Sequence, residues 1–376
     1  MPTSPRVLIN LHGNYTSDPG TRTKHELLFK SLAETASIID IHNAELQNLQ
    51  RGWAAIQSFH PNFSEWKIRY YLNADAFRLR SKQESEYIHR FTNKADVVLQ
   101  IGTLYSSWQP VLPVILYLDY TAQLSIQKNQ AGHAFRVPPH AERWLAMERR
   151  AYEQAAHICV RSHLVLSSLV EDYGISRDKI SVVGGGANFS PLPSLPHRIS
   201  RTEQPSQNLL FIGKDFFRKG GDLLIQAFEQ LQHDFPMARL TLITDLPQNV
   251  NLPAGVVHQP PTWDREIIAS AYANASIFVL PSRLETWGDV LLEAMSFALP
   301  CVGVQSDAME DIVVDHLTGI LVPPSDPDAL AAALRNLLEN PQVSQEYGLN
   351  GRERIEKTLN WPHVARELTE VLSRYC

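Results

Sequence analysis

Residues 277–304 read IFVLPSRLETWGDVLLEAMSFALPCVGV. Four apolar residues, 277–280, run into Pro281-Ser282, the pattern of a buried strand closed by a breaker. Beyond a short loop, Val290, Leu291, Ala294, Met295 and Ala298 recur at helical spacing. Pro300 stops that helix, and residues 301–304, Cys-Val-Gly-Val, form a second buried strand. Strand, loop, helix and strand make one βαβ unit. Its loop opens on the carboxyl edge of a parallel sheet, where ligands bind in such folds.

Two carboxylates mark this unit, Glu285 in the loop and Glu293 in the helix. Were the segment wholly helical, the eight residues from one to the other would rise about 12 Å, comparable to a ribose, a diphosphate and a hexose end to end. Between them Thr286, Trp287 and Gly288 stand at a helix N-terminus, where free backbone N–H groups and the helix dipole favour an anion. Gly288 permits close approach to the backbone. Taken singly, Glu285 reads as a helix cap and Glu293 as a solvated face residue. The full string decides otherwise.

The string PSRLETWGDVLLEAMSFALPCVGV resembles the E-x7-E signature of the retaining nucleotide-sugar glycosyltransferases of GT-B fold, glycosyltransferase family 4. That resemblance implies an α/β chain of two Rossmann-like domains whose parallel sheets face across a cleft. It implies transfer of a sugar from a nucleoside-diphosphate sugar to an acceptor hydroxyl with retention, by a front-face path through an oxocarbenium-like state. It also implies that Glu293 holds the ribose hydroxyls and Glu285 the donor sugar.

With 376 residues the chain exceeds the size of a single core, so two domains are expected. A hydrophobic content of 44% with 20% charged residues fits an ordinary soluble enzyme. The opening residues contain no apolar stretch of signal-peptide length, and no run of eighteen apolar residues occurs. Cys159, Cys301 and Cys376 are odd in number and widely spaced, which fits a reduced, cytoplasmic chain. Charge is uneven: residues 1–200 hold 21 Lys and Arg against 17 Asp and Glu, whereas residues 201–376 hold 13 against 23. A mildly basic first half suits an acceptor-side domain working near an anionic surface.

Arg6–Leu11 reads as the first buried strand, with a helix from about Thr21; between them Gly13 could admit a ligand, or simply shape the turn. Residues 62–94 gather Trp66, Arg69, Tyr70, Tyr71, Phe77, Arg78, Arg80 and Lys82. They read either as an acceptor-binding or membrane-surface patch, or as an amphipathic helix with rings inward and bases solvated; the second is preferred. Arg78, Arg80 and Lys82 alternate at period two and cannot share one helix face. Residues 113–118 form a strand ending at Asp119, where many members of the resembled family place a histidine. Asp119 could take a hydroxyl proton or cap a turn.

Residues 140–190 resemble the close of the family's first domain, with Gly184-Gly185-Gly186-Ala187-Asn188 replacing an N-G-V-D type turn. The domains are read as 1–190 and 208–360, joined by a proline-rich linker at 191–207. By resemblance the last helix, 361–376, crosses back to the first domain. After the strand at 208–212 comes Gly213-Lys214-Asp215-Phe216-Phe217-Arg218-Lys219-Gly220-Gly221, similar to the family's G-R-x-x-x-x-K-G segment. In that segment Arg and Lys hold the donor diphosphate; here Lys214 replaces the Arg and Lys219 matches the Lys. An ammonium lacks the bidentate fork of a guanidinium, which Arg218 is positioned in sequence to supply. The segment from His258 to Thr262 would lie against the nucleotide base. A helix is expected from Trp263 to Asn274, and another over residues 306–315. Asp326-Pro327-Asp328 has a D-x-D form but precedes a helix, so capping is expected rather than a metal site.

The reaction expected is sugar transfer with the leaving diphosphate stabilised by Lys214, Lys219 and the helix N-terminus after Glu285, with no metal and no cofactor beyond the donor. Partners are a nucleotide sugar and an unidentified hydroxyl acceptor (a glycan, a lipid or a small molecule), with no nucleic acid. A peripheral contact at the inner membrane face stays open. A glycoside phosphorylase, a sugar-nucleotide hydrolase and a non-catalytic subunit on the same scaffold are the alternatives.

Overall fold

The computed structural model describes residues 4–107, 111–130, 140–194 and 207–376. It holds two compact units: residues 1–184 together with Trp361–Cys376, and Gly185–Asn360. The linker read at 191–207 falls mostly outside the described residues, and the chain passes between units at Gly184–Gly185 and at Asn360–Trp361.

The first unit runs β1 (Arg6–Leu11), α1 (Pro19–Ala33), β2 (Ser37–Asn43), α2 (Asn48–Gln57), α3 (Phe63–Tyr71), α4 (Ala74–His89), β3 (Val97–Ile101), β4 (Val114–Leu118), α5 (Ala122–Gln130), α6 (Ala141–Gln154), β5 (His157–Val160), α7 (His163–Glu171) and β6 (Ile180–Val182). Its sheet is parallel, in the order β2-β1-β3-β4-β5-β6. The order reverses between β1 and β3, so the carboxyl ends of those strands form the unit's switch point. The helix expected from Thr21 starts earlier, at Pro19. Asp18 caps it by accepting from Thr21 N at 2.8 Å, and proline fits the first turn. The closing helix, Trp361–Ser373, buries Trp361, Val364, Ala365 and Leu368 in the same core as Val7, Ile9 and Leu32.

The stretch at 62–94 is not one amphipathic helix but α3 and α4, separated where Asn73 caps α4 through Asp75 N and Ala76 N at 2.7 and 3.1 Å. In α4 Phe77 and Arg80 are wholly buried while Arg78 and Lys82 are exposed, as the period of two requires.

The second unit runs β7 (Asn208–Asp215), α8 (Gly221–Asp234), β8 (Arg239–Asp245), β9 (Val256–Gln259), α9 (Arg265–Asn274), β10 (Ile277–Val279), α10 (Asp289–Ser296), β11 (Cys301–Val304), α11 (Met309–Ile312), β12 (Gly319–Val322), α12 (Pro327–Glu339) and α13 (Pro341–Lys357). Its parallel sheet is ordered β12-β11-β10-β7-β8-β9. Here the reversal lies between β7 and β10, and the loops leaving those two strands are the ones the sequence singled out. The helix expected from Trp263 begins at Arg265, because Asp264 turns back to accept from Glu266 N at 2.9 Å. The helix expected over 306–315 shrinks to the single turn α11, since Asp307 sits at φ 59° and Val313 is already extended. Asp326 accepts from Ala329 N at 2.9 Å, the capping role expected of it.

Candidate active site

Two loops frame the switch point of the second unit. The first, 216–220, leaves β7; the second, 280–288, leaves β10, which pairs directly with β7. They touch where Gly220, at φ 77°, meets Pro281: a Cβ on Gly220 would lie 2.0 Å from the Pro281 carbonyl oxygen. Only glycine allows that approach and that backbone conformation together.

Side chains then lace the loops. Arg218 donates Nη1–H to the Leu284 carbonyl at 3.0 Å and Nε–H to Asp215 at 3.2 Å. Its own carbonyl accepts from Arg283 N at 2.9 Å and from Ser282 Oγ at 3.2 Å. Arg283 grips Asp222, at the start of α8, through two bonds of 2.7 Å. The guanidinium fork expected from Arg218 is therefore engaged in holding the two loops together. Its length and planarity suit that task.

Lys219 and Glu285, assigned separate tasks from sequence, are partners. The Lys219 ammonium donates to Glu285 Oε2, and both side chains are largely shielded from solvent. Gly213 packs beneath this pair, for a Cβ there would stand 2.8 Å from Lys219 Cγ. Glu285 is fixed from behind as well, since its N–H donates to Asp307 Oδ2 at 3.0 Å. Lys214, at the end of β7, is exposed.

Glu293 occupies a different setting. It lies buried in α10, with Oε1 3.0 Å from Arg265 Nη1 and Oε2 accepting from the Tyr272 hydroxyl at 3.1 Å. Burial pushes its carboxyl above the ordinary range, and the Arg265 guanidinium pulls it only partly back. Arg265 stacks over Phe189 at 4.1 Å and donates to the Asn188 carbonyl at 3.0 Å, which ties the glycine-rich turn of 184–188 to this carboxylate. Because α10 begins only at Asp289, Glu285 lies outside the helix, and the continuous helical rise from Glu285 to Glu293 does not exist. Gly288, at φ 93°, precedes the helix without a side-chain cap, and its carbonyl accepts from Leu291 N at 2.8 Å in the first turn. Thr286 is half-buried, and Trp287 is buried in the core of the unit.

The remaining sequence-selected residues belong to other elements. His258, on the edge strand β9, donates from Nε2 to the Thr244 carbonyl at 2.9 Å. Gly13 (φ 112°) and Asp119, which is exposed just after β4, both belong to the first unit. Sequence reading missed Arg265, Tyr272 and Asp307. Arg265 and Tyr272 stand seven residues apart, two turns along one helix face, so their spacing held a signal that was not used. Asp307 held none, because its contact comes from a loop twenty-two residues away in the chain.

Residues 197–354 match the family model described as glycosyl transferases group 1. Among curated relatives, a D-inositol 3-phosphate glycosyltransferase of Kineococcus radiotolerans is 28% identical over 66% of this chain and 63% of its own length. A second of that name, from Nocardiopsis dassonvillei, is 28% identical over 62% of this chain and 59% of its own. The chain thus spans less than two thirds of these relatives. Among solved structures, the sucrose-phosphate synthase of Thermosynechococcus elongatus superposes with a TM-score of 0.68 at 18% identity, covering 98% of this chain and 99% of that one. Anabaena HepE in complex with UDP-glucose gives 0.67 at 14% identity, covering 98% and 99%. Both likenesses bear on the fold. With two six-stranded parallel sheets and the E-x7-E loop of its second unit at the switch point, the chain has the GT-B fold, and its residues 197–354 are similar to the group 1 glycosyl transferases.

Proposed function

We propose that the chain is a retaining glycosyltransferase, moving a hexose from a nucleoside-diphosphate sugar to an acceptor hydroxyl without a divalent metal. The observation that carries this reading is the Lys219–Glu285 pair at the switch point, ahead of an uncapped helix N-terminus. A shielded cation beside a helix N-terminus and its dipole suits a diphosphate, on which charge develops as the bond to the anomeric carbon breaks. Glu285, already facing Lys219, is placed to accept from sugar hydroxyls while holding the ammonium in position. Glu293 keeps a carboxylate buried at a cost to stability, which makes sense if that carboxylate accepts from ribose hydroxyls. Lys214, exposed beside this group, adds long-range attraction for the donor.

The reaction follows a front-face path. The bond from the anomeric carbon to the diphosphate oxygen breaks, and the acceptor oxygen bonds on the same face and gives its proton to the departing diphosphate oxygen. The free thiols of Cys159, Cys301 and Cys376 suit a reducing, cytoplasmic setting. Relatives named as glycosyltransferases support the reaction class, and the neighbour solved with UDP-glucose makes that sugar the first donor to try. Incubation with UDP-, GDP- and ADP-sugars and with hydroxylated acceptors tests the reading. Release of nucleoside diphosphate with formation of an α-linked product from an α-linked donor is expected. Phosphate-dependent turnover, or binding with no turnover on any acceptor, would overturn it.

A further inference from the structure

The first unit carries an exposed apolar surface that its own core does not use. Helix α2 is strongly amphipathic, yet Ala54 is its only fully buried residue. Leu49, Trp53 and Ile56 fall at i, i+4 and i+7, on a single stripe. That stripe points to solvent: Leu49 is 89% exposed, Ile56 78% and Trp53 43%. In a helix that serves its own core the apolar stripe faces inward. Here the orientation is reversed.

The surface continues past the helix. Phe59 and Phe63 are 64% and 71% exposed, and both make edge contacts with Trp66, at 5.7 and 6.2 Å between ring centroids. Trp66 in turn donates its indole N–H to the Ala55 carbonyl at 2.8 Å, which fixes α3 against α2. The five apolar side chains therefore stand on one braced platform. Contiguous exposed apolar surface of this kind marks an interaction site in a soluble protein.

Charge identifies the partner. Arg51, Lys67 and Arg69 interleave with the apolar residues and are exposed, against Glu65 alone among exposed acids from 47 to 69. The unit as a whole carries 22 Lys and Arg against 19 Asp and Glu, while the second unit carries 12 against 21. Large aromatic and aliphatic side chains with basic residues between them, on an amphipathic helix, fit a bilayer interface with anionic headgroups. We propose that α2 and the start of α3 form a docking surface for an anionic lipid bilayer. The apolar stripe enters the headgroup boundary and the three cations meet lipid phosphates. This surface takes up only the start of the 62–94 stretch considered from sequence, at Phe63, Trp66, Lys67 and Arg69; further on, Phe77 and Arg80 of α4 are buried.

The test is sedimentation of the full chain with vesicles of phosphatidylcholine, with and without phosphatidylglycerol, at low and high salt. Binding to the phosphatidylglycerol vesicles is expected, weaker on phosphatidylcholine alone and weakened by salt. The Ile56→Ser/Phe63→Ser variant, altered only at exposed positions, should keep the wild-type melting temperature and bind at least about tenfold more weakly. Arg51→Ala/Lys67→Ala should lose the preference for the anionic vesicles. Wild-type protein that stays in solution overturns the proposal. So does an apolar variant that binds as wild type, or one whose oligomeric state changes while its vesicle binding does not, which would assign the surface to a second copy of the chain.

Discussion

Lys219 and Glu285 lie sixty-six residues apart in the chain and form one ion pair, each supplied by one of the two loops at the switch point of the second unit. Removing either therefore disturbs the other. Lys219→Ala and Glu285→Ala should each lower turnover sharply, and the double variant should lose much less than the product of the two losses. Steady-state rates for the three variants supply the cycle. Strict multiplicativity would mean that the two side chains act independently.

Gly213 supports this pair from below. A methyl group at that position would meet Lys219 Cγ at 2.8 Å, so Gly213→Ala should displace the lysine stem. The expected result is a fall in kcat with a change in melting temperature of no more than a few degrees, since the obstacle is a flexible side chain. Wild-type kcat in Gly213→Ala would show that the position of Lys219 does not matter.

Glu293 tests burial and binding together. Its carboxyl keeps a proton to higher pH in the folded chain than in the unfolded one, because burial outweighs the help of Arg265. The folded state then binds more protons just above the ordinary carboxylate range, and the residue's contribution to stability is lost as pH rises through its folded pKa. Glutamine carries no such penalty. The melting temperature of Glu293→Gln, relative to wild type, should therefore grow more favourable from pH 5 to pH 8. Nucleoside diphosphate binding should weaken in the same variant by about ten- to a hundredfold, the value of about 1.5–3 kcal/mol for a hydrogen bond to a charged group. A flat stability difference and unchanged affinity would return Glu293 to an ordinary structural role.

The proposed leaving-group chemistry relies on Lys219 and helix N–H groups. Turnover should accordingly survive incubation with EDTA. Activity that disappears in EDTA and returns only with Mg2+ or Mn2+ would require a metal at the diphosphate instead.

What could be read from sequence followed the range of each interaction. The β10–α10–β11 unit was legible because its determinants are local: an apolar run, a breaker, helical spacing and a stop at Pro300. The place of its loop at the carboxyl edge of a parallel sheet followed from that same βαβ order. Contacts between loops were not legible. Nothing near Arg218 in the chain indicates that it bonds the Leu284 carbonyl, so its guanidinium was read as free for phosphate. Glu285 and Lys219 were each identified, but their partnership exists only once β7 and β10 pair. Arg265 was overlooked because an arginine at a helix start ordinarily reads as a solvated residue, and only the buried Glu293 gives it another role.

The Lys219 ammonium is the cation on which the proposed chemistry chiefly depends, and single-turnover kinetics address it directly. Single-turnover rates with the donor found in the nucleotide-sugar screen should be compared for wild type, Lys219→Ala and Lys214→Ala. A cation that stabilises charge developing on the diphosphate acts on the transition state more than on the bound donor. Lys219→Ala should therefore slow the chemical step by on the order of 100-fold or more, with a smaller change in donor affinity. Lys214→Ala, at the exposed position, should lose less, and Lys214→Arg should retain or improve the rate. A Lys219→Ala enzyme with a raised KM and an unchanged rate of chemistry would contradict the account, leaving the lysine a simple binding contact.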